Sequence, residues 1–205
     1  MKGGPAALLL LALAPGPASA SQPSPTTMLP SQANMSDQYV REFREAPFWT
    51  PGALGNYRSR LRLTIVGIAF VRVSIRIDED RHGRLVGRAK VVDASTPPGY
   101  GRFNNADRFN WMPGVFSVQR PRMAALQAAM DRARLFRINP QYWNFTDPQM
   151  VCMDGEEMFF ERLDARGYFL ANANAQCTAT EELRDVARMM LLYAGEPQLS
   201  YLVAG

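Results

Sequence analysis

Hydrophobic and polar residues alternate with a period of two in the first half of the chain. Leu61, Leu63 and Ile65 alternate with Arg60, Arg62 and Thr64. Beyond Gly67, Val71, Val73, Ile75 and Ile77 alternate with Arg72, Ser74, Arg76 and Asp78. Such alternation marks half-buried antiparallel strands, because successive side chains leave opposite faces of the pleat. Asp78 to Gly83 (DEDRHG) is a polar turn, and Leu85 to Asp93 reads as the returning strand. The pattern predicts a meander with one aliphatic face and one face rich in arginine.

The period changes after residue 117. Met123, Leu126, Met130 and Ala133 fall at i, i+3, i+7 and i+10, the stripe of a helix over about Val118–Phe136 with Ser117 as N-cap and Pro121 near its first turn. A second helix, Glu181 to Ala194, carries Leu183, Val186, Ala187, Met190, Leu191 and Ala194 on one stripe. Thr178 or Thr180 caps it, Gly195 ends it and Pro197 prevents extension. Between the helices, Glu157–Leu163 and Tyr168–Ala173 flank Asp164-Ala165-Arg166-Gly167, a hairpin in which Gly167 takes the left-handed position. The tail Leu199–Ala204 suggests an edge strand, and Ser36 to about Arg44 a short helix. Residues 94–117 form a long connection crowded with Pro, Gly and Asn that also carries Tyr100, Phe103, Phe109, Trp111 and Phe116. Residues 137–153 read as irregular and hold Tyr142, Trp143 and Phe145. Strands, helix, hairpin, helix is the order of an α+β domain: a mainly antiparallel sheet with two principal helices packed on one face.

The ends refine the boundaries. Lys2, the apolar run Ala6–Ala14 and the small-x-small site Ala18-Ser19-Ala20 have the form of a secretory signal spanning residues 1–20, with cleavage near Ala20. The apolar run is too short to cross a bilayer, which takes about 20 residues. Residues 21–35 form a Pro/Ser/Thr-rich leader, which leaves residues 36–205 for one domain. The expected location is periplasmic or extracellular, with no transmembrane segment in the mature chain.

Composition then narrows the chemistry. The chain has 23 Lys+Arg, 19 Asp+Glu, two Cys and one His, with a formal charge of +4 that falls to +3 once Lys2 is removed. Lys90 is the only lysine left, so the positive charge is arginine, which a GC-rich coding bias explains most simply. One histidine, His82, in a charged turn cannot build a multi-histidine metal centre, and two cysteines cannot build a zinc finger or an all-cysteine iron–sulfur site. No P-loop, G-x-G-x-x-G, H-E-x-x-H or G-x-S-x-G motif is present, and the sequence suggests neither cofactor nor metal.

Cys152 and Cys177 admit one intramolecular pairing. In an exported protein they read as a structural disulfide, and the hairpin supports this: opposed residues would sum to 331 or 332, and the cysteines sum to 329.

Acid–base chemistry rests on carboxylates, of which Asp154, Glu156, Glu157 and Glu161 cluster along the hairpin's first strand. Their favoured reading is a solvated face shared with Arg162 and Arg166. Arg58, Arg60 and Arg62 share one face at period two, joined by Arg72, Arg76 and Arg88 if the strands pair. The favoured reading there is also a solvated outer surface. The functional alternative is an anion site built from Arg60, Arg62, Arg72 and Arg76, with Tyr100 and Trp111 stacking beside it. Trp49, Trp111 and Trp143 read as packing residues more readily than as a ligand groove.

The stretch Leu126–Gly195 resembles a pattern found in uncharacterised, signal-peptide-bearing bacterial proteins. It is carried by Leu135-Phe136 after a helix, Asp154-Gly155 before a strand ending in Glu161, Tyr168-Phe169, and Leu191-Leu192-Tyr193-Ala194-Gly195. The resemblance implies an exported α+β domain and assigns no site residues. The function expected is a non-catalytic envelope protein binding an anionic envelope component or another envelope protein. The alternatives are a carboxylate-dependent hydrolase of cell-wall or polysaccharide substrates and an assembly component.

Overall fold

The computed structural model of the chain describes residues 43–67, 71–93, 114–136 and 155–204. Six strands form one sheet: β1 (Tyr57–Val66), β2 (Val71–Asp80), β3 (Leu85–Asp93), β4 (Gly114–Ser117), β5 (Glu157–Asp164) and β6 (Gly167–Asn174). Their order is β4-β3-β2-β1-β5-β6, with every neighbouring pair antiparallel. Among the described residues, two helices, α1 (Arg120–Arg132) and α2 (Glu181–Ala194), join a 3-10 turn at Pro197–Val203 on one side of the sheet. The architecture is α+β.

The aliphatic face packs as its alternation requires. Leu61, Leu63, Ile65, Val73, Ile75, Ile77, Met158 and Phe160 meet Leu126 and Met130 of α1 and Leu183, Val186, Ala187, Met190 and Leu191 of α2. The second helix has its expected ends: Thr180 Oγ1 accepts from Leu183 N at 3.4 Å, and Gly195 adopts φ 82°. In the hairpin, Asp164 opposes Gly167, so opposed residues sum to 331, within the expected register.

Several boundaries differ from expectation. Ser117 ends β4 and does not cap α1; Gln119 takes that place without a side-chain cap. β4 lay inside the expected connection because four residues are too few to declare a period. What holds it is Gly87, over which the Phe116 ring lies so closely that a Cβ would sit 2.1 Å from it. The first helix is shorter than predicted and stops before Arg134, which has φ 52°. The tail is a 3-10 turn and not an edge strand, because Leu199, Leu202 and Val203 reach the core only at helical spacing. Asp78 belongs to β2 and is buried; the turn proper is Arg81-His82, gripped by Asp80 Oδ1, which accepts from His82 N and Arg84 N at 2.9 Å each. The predicted helix does not extend to Arg44, which lies in a turn with φ 50°. The signal (1–20), the leader (21–35), residues 36–42 of that helix, Tyr100, Trp111, Trp143 and Cys152 lie outside the described residues. Among the described residues, no helix is long and apolar enough to cross a membrane.

The largest departure concerns the arginine face. Residues 43–56 run across it as a strap of turns and bury Phe43 and Phe48 beneath themselves. The sheet is thus covered on both sides, by helices on one and by the strap on the other.

Gly87→Ala is expected to destabilise the fold by about 1–3 kcal/mol through overpacking against Phe116. In denaturant unfolding, the double change Gly87→Ala with Phe116→Ala should cost less than the two single changes combined.

Candidate functional site

Two places gather chemistry: a charged layer beneath the strap and a cleft at one end of the sheet. The layer follows from strand register. Arg62 sits opposite Glu161 on β5 and opposite Arg76 on β2, so alternation places all three on the strap side. Arg62 grips Glu161 with two bonds, Nε donating to Oε2 at 2.5 Å and Nη2 to Oε1 at 2.7 Å, and Tyr168 Oη donates to Oε1 at 2.9 Å. From the strap, Glu45 Oε2 lies 3.2 Å from Arg62 Nη1 and 3.7 Å from Arg76 Nη1, while its Oε1 lies 3.5 Å from Lys90 Nζ. Asp78 receives Arg60 at 2.9 Å, Arg76 at 3.1 Å and Arg88 at 2.9 Å. Among the described residues, Arg60, Arg62, Arg76, Arg88 and Lys90 thus converge on Glu45, Asp78 and Glu161.

Main-chain oxygens of the strap complete the coordination. Arg60 Nη1 donates to Ala53 O at 2.6 Å, and Lys90 Nζ to Phe43 O at 2.7 Å. The Phe48 ring lies 4.8 Å from the Arg60 guanidinium carbon and 4.3 Å from that of Arg62, and Trp49 meets Tyr168 edge-on at 6.0 Å. Burial works against the charge of Arg62, but Glu161 and Glu45 outweigh it and hold the guanidinium above its ordinary pKa. For Lys90 burial wins over the Glu45 carboxylate and pulls the ammonium below its ordinary value.

This layer corrects the expectation of a solvated arginine face. Arg62 and Glu161 are both 0% exposed, and Arg60 is 8% exposed. Arg76 joins them in the layer, and Arg72 lies partly buried on the same face of β2. The physical reason is the strap, whose turns have no periodicity for a sequence reading to detect. Glu161 is likewise not on a solvated face, and Glu157 accepts from Asn174 Nδ2 at 3.3 Å.

The cleft has a volume of about 380 Å³ and lies between α1 and the sheet end where β1 and β3 begin and β2 and β5 finish. Leu61, Ile77, Leu85, Met123 and Met130 provide its apolar surface. At its rim the arginine side chains reach further into solvent than the carboxylates: Arg58 is 72% and Arg166 70% exposed, against 24% for Glu79 and 14% for Asp164. Arg58 lies 3.6 Å from Glu79, and Arg166 Nη2 lies 2.9 Å from Asp164 Oδ2. Asp131 on α1 adds a further negative charge near Arg162 and Arg166. Arg162 spans the rim and the core: its guanidinium stacks 4.7 Å from Phe136 and 4.3 Å from Phe169. Its Nε lies 3.3 Å from Asp164 Oδ2 without the alignment of a hydrogen bond. Burial opposes the charge of Asp164, yet the bonds from Arg166 and the charges of Arg162 and Arg166 hold its carboxyl below the usual range.

Of the expected binding residues, Arg60, Arg62 and Arg76 are brought together, but as a buried layer. Tyr100 and Trp111 are outside the described residues. The sequence reading missed Glu45 and Phe48, which carry no periodic signal, and the cleft, whose residues come from five separate elements. No protein-family model matches the chain, and no curated protein does.

Replacing Arg62 by Met would strand the Glu161 carboxylate in the interior, a loss of about 3–5 kcal/mol. The double change Arg62→Met with Glu161→Met should recover a large part of it; denaturant midpoints of the three variants measure the coupling.

Proposed function

We propose that this protein is an exported, non-catalytic binding protein whose cleft takes a small amphiphilic anion. The observation that carries this reading is the pairing of a cleft of about 380 Å³, partly apolar in its lining, with a rim on which arginines are the outermost charges. That volume falls in the range of small-molecule sites. The apolar body of the ligand rests on the half-buried Met123 and Leu85, behind which Leu61, Ile77 and Met130 are packed in the core, and its anionic head meets Arg58 and Arg166 at the mouth. The two rim arginines are exposed and screened by salt, so each contributes modestly and orientation matters more than strength. Decanoate is the simplest probe. Calorimetry should show decanoate binding more tightly than decyltrimethylammonium, with affinity falling as salt rises. The double change Arg58→Ala with Arg166→Ala should weaken binding by about tenfold, and Met123→Trp should abolish it by filling the pocket. Equal affinity for the two detergents, or undiminished binding in a folded Met123→Trp protein, would remove the proposal.

Export and the disulfide belong to the same reading. The signal-like first twenty residues place the domain in an oxidising compartment, where Cys152 and Cys177 form a bridge. Cys177 sits in the turn that follows β6, where its backbone N–H donates to Asn174 Oδ1 at 3.1 Å. A loop of about 26 residues closed in this way contributes roughly 3.5 kcal/mol on the chain-entropy account. Intact mass spectrometry of exported protein should give an N-terminus at Ser21 and a gain of about 2 Da on reduction. Two free thiols in the exported protein would overturn the bridge.

A further inference from the structure

The seat of Glu45 beneath the strap raises a separate question, because two buried polar atoms on the same face of the sheet make no hydrogen bond among the described residues. Among the described residues, Ser74 Oγ is buried and has no hydrogen-bond partner, and the same holds for Arg76 Nε, although Asp78 lies 3.1 Å from it. Ser74 is on the strap side of β2, two positions from Arg76 and directly opposite both Thr64 on β1 and Lys90 on β3. Buried polar atoms are rarely left unpaired, and each such case asks for a partner that would satisfy it. A carboxylate is planar and brings two oxygens. Glu45 spends both on Arg62, Arg76 and Lys90 at 3.2–3.7 Å, distances at the long end for charged pairs. A tetrahedral oxyanion brings four oxygens and up to two charges, which suits three converging cations and the idle Ser74 hydroxyl better than a carboxylate does.

We propose that the seat filled by Glu45 is a binding site for a small tetrahedral oxyanion, inorganic phosphate or a soluble phosphate monoester, and that Glu45 is its built-in occupant. Arg62, Arg76 and Lys90, one from each of three adjacent strands, supply the charge, and Ser74 Oγ supplies the hydroxyl that a carboxylate leaves idle. Enclosure selects the source. With Arg62 0% exposed and the Glu45 side chain 2% exposed, the seat admits a free anion and not a headgroup held in a membrane. Entry requires residues 43–49 to lift, and the turns at Gly52 (φ 78°) and Gly55 (φ 52°) are where the strap would pivot. Closed, the strap keeps Phe43 and Phe48 buried, so the resident state is the self-occupied one. The site is independent of the cleft, with which it shares no carboxylate.

The test vacates the seat with Glu45→Ala, or strips its occupant of charge with Glu45→Gln, and asks which anion takes its place. Thermal midpoints of Glu45→Ala and Glu45→Gln are followed as inorganic phosphate, acetate or chloride is added at constant ionic strength. The expected result is a midpoint that rises with phosphate, rises less with acetate and does not respond to chloride. Adding Arg76→Leu to either variant should weaken the phosphate response at least tenfold. Adding Ser74→Ala should weaken phosphate and leave acetate unchanged. In the unaltered chain, phosphate should act only at concentrations at least tenfold higher, and should speed amide hydrogen exchange across residues 43–49. Using Gln beside Ala guards against loss of the fold, since the amide keeps the side chain's shape. A vacated seat that responds to phosphate no more than to chloride overturns the site, as does a response that survives Arg76→Leu. Unchanged exchange of residues 43–49 in the unaltered chain at saturating phosphate overturns the displacement.

Discussion

The fully buried guanidinium of Arg62 is the constraint on which the sheet and its cover both depend. Taking a charge out of water costs several kcal/mol, and only good geometry and full hydrogen bonding repay it. Here Glu161 takes two of its donors, Glu45 and Ala46 O share a third, and the Phe48 ring covers its face. Because Arg62 and Glu161 are direct cross-strand partners, their bond sets the register between β1 and β5. A slip of one residue would send Arg62 into the helix-side core and Leu63 under the strap, so the pair excludes that alternative far more strongly than an apolar pair would. The same guanidinium fixes the strap. One side chain thus specifies a strand pairing and the placement of a chain segment that has no regular structure of its own.

Local pattern made much of the fold legible. Alternation at Leu61–Ile65 and Val71–Ile77 located β1 and β2, the stripe from Leu183 to Leu191 located the second helix, and Gly167 located the hairpin turn. What failed was the meaning given to the polar half of the alternation. Arginine at every second position reads as solvent contact because most exposed sheet faces look that way. The information that reverses the reading lies in Glu45, Phe48 and the carbonyls of Phe43, Ala46 and Ala53, where backbone acceptors count as much as side chains. Backbone acceptors are present in every sequence and so carry no signal. The cleft was illegible for another reason: Arg58, Glu79, Met123 and Arg166 become neighbours only through the order of strands, which alternation does not encode.

The two faces of the sheet treat charge in opposite ways. Beneath the strap, Arg60 and Arg62 are desolvated and each is tied to a carboxylate and a carbonyl, so salt screens their pairing little. At the cleft, Arg58 and Arg166 stand in water over Glu79 and Asp164, where each pairing is weak and readily exchanged. Strong pairing suits a fixed architecture and weak pairing suits a reversible ligand. Arg60 touches both regions, since it lines the cleft while bound to Asp78 and Ala53 O. Through it the strap and the cleft are mechanically adjacent.

The strand order also has a consequence for how the chain is made. β1 lies near the middle of the sheet, yet one of its neighbours is β5, and the Arg62–Glu161 bond joins residues 99 apart in sequence. As the chain lengthens from its N-terminus, β1 can pair with β2 early, but its other edge stays open until the hairpin has been synthesised. During that interval Leu61, Leu63 and Ile65 lack most of their helical cover and Arg62 lacks Glu161, which takes two of its donors. Non-local pairing of this kind slows folding, and an open edge beside apolar side chains invites association with other chains. The arginines on the opposite face of the waiting strand, still without Glu161, act against such association, because a cationic surface that later becomes interior is, until then, a surface that repels its own copies.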